Sequence, residues 1–210
     1  MELSERNIET PPVYLVLVKK TGLFSEVSYI VTREARPFTF IEPFIHGSRE
    51  NTVAGKSRRI EEWAMFVKRM HDSGCYHFDL SNYNVMTRPG GNNTCFELID
   101  LDMVVTISSV KTVWARLFRT VELIIMNAMF KDKDFRKIDK LRFLRTYWGE
   151  EQFRENMKSS LVRYLFNSGE LGRSKWFRRV FFNLFRVIRL AGIVNSKVKV
   201  DGELCHQSRA

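Results

Sequence analysis

The sequence predicts an α+β fold in which a short antiparallel sheet precedes a mainly helical body. Three observations carry that prediction. Two runs of β-branched and aromatic residues, 13–18 and 27–32, stand close together near the N-terminus. A dense cluster of turn formers, residues 88–93, separates two further short apolar runs. Beyond residue 112, apolar side chains recur at i, i+3, i+4 spacing almost to the C-terminus.

Taken in chain order, Pro11 and Pro12 stop whatever precedes the first run, and a connector containing Gly22 joins it to the second as an antiparallel pair. A helix is expected over residues 57–73, with Ile60, Trp63, Ala64, Val67, Met70 and His71 on one face and Gly74 at its C-terminal end. Residues 85–87 and 95–99 read as a β-hairpin around the turn cluster. Val113, Trp114, Leu117, Phe118, Val121, Ile124 and Ile125 form the stripe of a helix. Leu141, Phe143 and Leu144 mark another, Phe153, Met157, Leu161, Tyr164 and Leu165 a third, and residues 176–190 a fourth. Residues 195–210 are polar and read as a loose tail.

Composition narrows the class. The 210 residues are 44% hydrophobic and 13% aromatic, ample for a packed core. The N-terminus is acidic where a signal peptide is basic, and no apolar run approaches the roughly 20 residues that span a bilayer. Cys75, Cys95 and Cys205 lack metal or disulfide spacing, which suits a reducing cytoplasm. The net charge of +10 is uneven. Lys and Arg outnumber Asp and Glu by about two to one between Lys111 and Gly192, which implies an anionic partner there without choosing one.

The chemistry concentrates in residues 74–84 and 98–102. If the two hairpin strands run antiparallel, Asn84 at the start of the first and Asp100 at the end of the second lie side by side. Asp79, on the loop leading in, reaches the same volume. Two carboxylates and an amide oxygen near one point suit Mg²⁺, which is held by few protein ligands plus substrate phosphates. Protein kinases use an H-x-D-L-x-x-x-N loop and a later Asp in this way. On that pattern Asp79 is the catalytic base, Asn84 and Asp100 are metal ligands, and His77 braces the loop through a hydrogen bond. Asp102 reads equally well as a solvated or capping carboxylate.

The stretch His77-Phe78-Asp79-Leu80-Ser81-Asn82-Tyr83-Asn84 resembles the H-x-D-L-N-x-x-N loop of the lipopolysaccharide kinase (Kdo/WaaP) family, with Ser81 replacing its first Asn. Leu98-Ile99-Asp100-Leu101-Asp102 resembles that family's I-D-x-D motif, and the likeness extends to about Leu190. The resemblance implies a protein-kinase-like fold with a partial N-lobe β-sheet and a mainly helical C-lobe. It implies ATP and Mg²⁺ as cofactors, and transfer of phosphate to a sugar hydroxyl of the lipopolysaccharide inner core at the cytoplasmic face of the inner membrane. It divides the chain into an N-lobe remnant at 1–36, a C-lobe at 37–194 and a tail at 195–210. In it residues 3–12 correspond to the link from helix C into strand 4, and Tyr29 to Glu34 to strand 5 and the hinge. There the backbone of Thr32, Arg33 and Glu34 would meet adenine.

Two departures accompany the likeness. Only Met1 to Thr10 precede Pro11, so the glycine-rich loop, the phosphate-binding lysine and most of helix C have no counterpart, and Lys19 and Lys20 end the wrong strand to supply that lysine. An N-terminally truncated chain is therefore expected, as a shortened gene product, a remnant or a pseudokinase. Phe78 stands where many protein kinases have Arg, which implies a loop not governed by activation-loop phosphorylation.

The segment from Arg173 to Leu190 mixes Trp176, Phe177, Phe181, Phe182 and Phe185 with Arg178, Arg179, Arg186 and Arg189. Such a basic amphipathic helix lies on an anionic membrane, suited to a lipid-linked sugar substrate, or packs its apolar face on the lobe. No RNP, KH or zinc-finger pattern accompanies the charge, so nucleic acid is not the expected partner. A non-catalytic pseudokinase or membrane-peripheral binding module is the alternative to an enzyme. An aminoglycoside-type phosphotransferase is the nearest enzymatic rival.

Overall fold

The β-branched runs pair as expected: in the computed structural model, strands β1 (Val13–Lys20) and β2 (Glu26–Thr32) form an antiparallel two-stranded sheet. The structure describes residues 3, 6, 8–20, 26–32, 39–46, 52–81, 83–90, 93–107, 113–129, 135–159 and 183. The register slips between Val13 and Leu15, and Tyr14 in that irregularity faces solvent. The Gly22 connector, Arg33, Glu34 and, apart from Asn183, the basic segment 173–190 lie outside the described residues.

Strand β3 (Thr39–Phe40) leads directly into the short helix α1 (Ile41–His46). The long helix α2 (Val53–Asp72) starts four residues before the predicted position. The cause is a cap: the Thr52 hydroxyl oxygen accepts from the Gly55 N–H at 3.0 Å, which offsets the poor helix propensity of Val53 and Gly55. All six residues of the predicted apolar face are buried. Full burial of side chains such as Ile60, Val67 and Met70 contributes about 1.5–3 kcal/mol each relative to exposure. Trp63, Phe66 and Phe96 stack together where α2 meets the hairpin. Gly74, at φ 78°, turns the chain out of α2, a conformation glycine adopts without steric penalty.

Strand β4 (Cys75–Tyr76) pairs with β7 (Val105–Thr106), and β5 (Val85–Gly90) pairs with β6 (Asn93–Leu98). The hairpin is longer than its turn chemistry suggests. Its ladder runs through Pro89↔Thr94 and Gly90↔Asn93, so only residues 91 and 92 lie between the strands. Pro89 is tolerated because β3, the neighbour on the other side of β5, reaches only Met86 and Thr87. Residues near the N-terminus clamp this hairpin: Leu98 N–H donates to the Glu9 carbonyl at 2.9 Å, and Leu3 and Ile8 enter the main core.

Helices α3 (Val113–Met129), α4 (Lys137–Trp148) and α5 (Glu150–Lys158) follow. The buried face of α3 is rotated from the predicted stripe. Ala115, Phe118, Val121, Glu122, Ile125 and Met126 face inward, while Val113 and Leu117 are exposed. Helix α4 packs along α2, where the buried Asp139 carboxylate accepts from Lys56 Nζ at 2.7 Å and from the Arg136 N–H at 3.1 Å. No helix of the described residues is long and apolar enough to cross a membrane.

Candidate active site

The loop between β4 and β5 carries His77, Asp79 and Asn84, and its path is fixed by backbone strain held in place from below. Phe78 has φ 57°, a left-handed conformation that is rare for a bulky residue and costs on the order of 1–3 kcal/mol. Two things hold it there. Its ring is buried against Tyr76 and edge-on to Phe118, with centroids 5.2 Å apart for the latter pair. Its N–H, like that of His77, donates to Glu122 Oε1 at 3.0 Å.

Glu122 is the residue that sequence reasoning missed. It lies in the middle of α3, is 1% exposed, and takes both loop amides on one carboxylate. Its other oxygen meets His71 Nε2 at 2.9 Å, and His71 Nδ1 meets the Tyr147 hydroxyl at 2.6 Å. Burial pushes the Tyr147 phenol well above its ordinary pKa, so it keeps its proton and can donate to Nδ1, leaving Nε2–H to donate to Glu122. Arg119 closes the cluster by donating to the His71 carbonyl at 3.2 Å and to Asp72 Oδ1 at 3.0 Å. A polar chain thus runs from α4 through α2 and α3 to the amides immediately before Asp79. The signal in the sequence was a lone carboxylate interrupting an apolar helix face, together with His71 on the apolar face of α2.

Above this support Asp79 and Asn84 come together. Asn84 Nδ2 donates to both the Asp79 carbonyl and Asp79 Oδ2, each at 2.9 Å, which closes the loop on itself. The Ser81 N–H to Asp79 carbonyl contact and the Asn84 N–H to Ser81 carbonyl bond at 3.1 Å tighten it further. The hairpin then sets the second half: Ile99 N–H donates to the Asn84 carbonyl at 3.0 Å, so Asp100 is one step beyond Asn84's partner. His77 Nε2 lies 3.1 Å from the Ile99 carbonyl, which links the loop to the residue before Asp100. That acceptor places the proton on Nε2, and the buried Nδ1 has no hydrogen-bond partner among the described residues.

Asp100 is exposed and also left-handed, at φ 57°, ψ 72°, just ahead of a 3₁₀ turn at Leu101–Met103. Aspartate tolerates this conformation better than most residues. Asp79 is half-buried. With the Asn84 amide nitrogen engaged by Asp79, its oxygen is the atom left for a cation. The set of one amide oxygen and exposed carboxylate oxygens fits a hard divalent ion shared with phosphate oxygens. Among the described residues no three His, Cys, Asp or Glu side chains cluster as a self-sufficient metal cage. At the other predicted contact, Thr32 ends β2 in an exposed position opposite Val13.

Comparison with known proteins agrees with this fold. A solved structure described as "WaaP in complex with acyl carrier protein" shares the fold at TM-score 0.61, with 24% identity over 82% of this chain and 73% of that one. No curated protein matches the chain. Residues 1–147 match the profile of the lipopolysaccharide kinase (Kdo/WaaP) family, and with that span covering well over half of its length, the chain belongs to this family of kinases.

Proposed function

We propose that this chain transfers the γ-phosphate of ATP to a hydroxyl of an inner-core lipopolysaccharide sugar. The observation that supports it most is the closed Asp79–Asn84 loop, hydrogen-bonded at 2.9 Å and seated on Glu122. In the proposed reaction the Asp79 carboxylate accepts the proton of the sugar hydroxyl while that oxygen bonds phosphorus and the bond to ADP breaks. Asn84 and Asp100 would hold Mg²⁺, which when bound neutralises the phosphate charge. His77 keeps the loop in register with Asp100, and the backbone of Thr32, Arg33 and Glu34 receives adenine. Because phosphoryl transfer asks mainly for alignment, the rigidity below Asp79 serves the reaction directly.

The chain would then divide into lobes at residues 36 and 194, work at the cytoplasmic face and rest residues 173–190 on an anionic membrane. The +10 net charge supports an anionic surface or partner. The similar solved structure is described in complex with acyl carrier protein, and a protein partner of that kind is a second candidate for this chain.

Thermal unfolding with ATP and Mg²⁺ tests the nucleotide site, because a ligand that binds the native state raises its midpoint. A rise in the wild type that is lost in Asp100→Ala supports the proposal. No rise in either protein favours a non-catalytic binding module.

A further inference from the structure

Large apolar side chains exposed on the described surface mostly stand singly at element ends, as Val53, Val113 and Ile138 do. Phe40 and Tyr83 differ. Phe40 is 39% and Tyr83 67% exposed, yet their rings meet edge to face, with centroids 5.7 Å apart and planes at 76°. Among the described residues no other pair of solvent-exposed rings is in contact.

Their position gives the pair a use. Tyr83 precedes Asn84 within the loop that the Asp79–Asn84 bonds close, and its N–H donates to Ser81 Oγ at 3.3 Å. Phe40 stands opposite Met86, two residues beyond Asn84, and β3 is pinned there by the Thr39–Thr87 hydroxyl contact at 3.2 Å. A strand and the loop that carries Asp79 thus present an aromatic corner between them. Two aromatic side chains left about two-fifths and two-thirds in water at a loop that orients a substrate have the form of a stacking platform. A pyranose ring offers one face of C–H bonds to the electron-rich face of an arene, and the Tyr83 hydroxyl can meet a ring hydroxyl.

We propose that Phe40 and Tyr83 form the subsite that seats the acceptor sugar ring and aims its hydroxyl at Asp79. This rests on the kinase reading above, and the two can fail separately. The test uses the full chain with free Kdo and a free heptose as probes, read by saturation-transfer NMR, and steady-state kinetics with lipopolysaccharide core as acceptor. Tyr83→Ala and Phe40→Ala are expected to raise the acceptor KM on the order of tenfold, about the worth of one aromatic contact. They should weaken saturation of the sugar C–H protons and leave the KM for ATP unchanged, with Tyr83→Phe close to wild type. Asp79→Asn should lower transfer by a factor on the order of 10²–10⁴ and retain the NMR signal. The platform is overturned if both alanine variants keep the wild-type acceptor KM and sugar signal, or if the wild type gives no sugar signal. It is equally overturned if the KM for ATP rises instead, which would make the pair a base-stacking site. Transfer undiminished in Asp79→Asn would count against the kinase reading and leave the platform to the NMR result.

Discussion

A single carboxylate in α3 decides whether Asp79 has a fixed position. Glu122 takes the amides of His77 and Phe78, so removing it strands two buried donors below a residue already held at positive φ. Each buried donor left unpaired costs about 1–3 kcal/mol. Glu122→Ala is therefore expected to lower unfolding stability by about 2–5 kcal/mol in urea titrations, with kcat falling more than KM. Glu122→Gln keeps an acceptor oxygen for both amides and should recover most of the stability. Of the residues gathered here, His77, Asp79 and Asn84 stood out in the sequence because their spacing, with Asp100 after the hairpin, carries chemistry on its own. Glu122, His71 and Tyr147 did not. They come from three helices, and only the tertiary fold brings them under the loop. The aromatic corner was hidden for a related reason, since β3 is two residues long and gives no period to read.

At the scale of elements, strong periodicity survived and boundaries moved. The predicted buried face of α2 is the observed one, because an uninterrupted apolar stripe leaves one way to bury it. The stripe of α3 was displaced because its inner face is chosen by Phe78 and the loop amides, and a charged residue belongs on it. The α2–α4 contact depends on a similar buried charge. Asp139 is 1% exposed and paired with Lys56, which retains 18% exposure. Removing one partner of a buried pair typically costs roughly 3–5 kcal/mol, and the access of Lys56 to water places Asp139→Ala at the low end. Chemical denaturation of that variant should show the loss, while Asp139→Asn, which can still accept from the Arg136 N–H, should lose less.

For the whole molecule, the buried thiol and phenols set an alkaline limit. Burial, with Glu122 adding to it, raises the Cys75 thiol far above its ordinary 9.0, and burial raises Tyr76 and Tyr147 above 10.0. A group whose folded-state pKa is raised contributes stability that is complete below its unfolded pKa and is lost as pH climbs past it. The melting temperature should thus be insensitive to these groups through neutral pH and decline from about pH 9 upward. A profile flat to pH 11 would contradict the burial of these groups. In native protein at neutral pH, Cys75 should resist thiol reagents, while the partly exposed Cys95 reacts.

In the proposed reaction the loop seated on Glu122 delivers phosphate from ATP to a core sugar. Transfer of labelled γ-phosphate to purified lipopolysaccharide inner core, by the wild type and by Asp79→Asn at matched folding by circular dichroism, decides whether it does. Loss of the general base typically removes a factor on the order of 10²–10⁴, so label should appear in the core with the wild type and fall by about that factor in the variant. Equal labelling by both proteins, or none by a wild type that binds ATP, would contradict it.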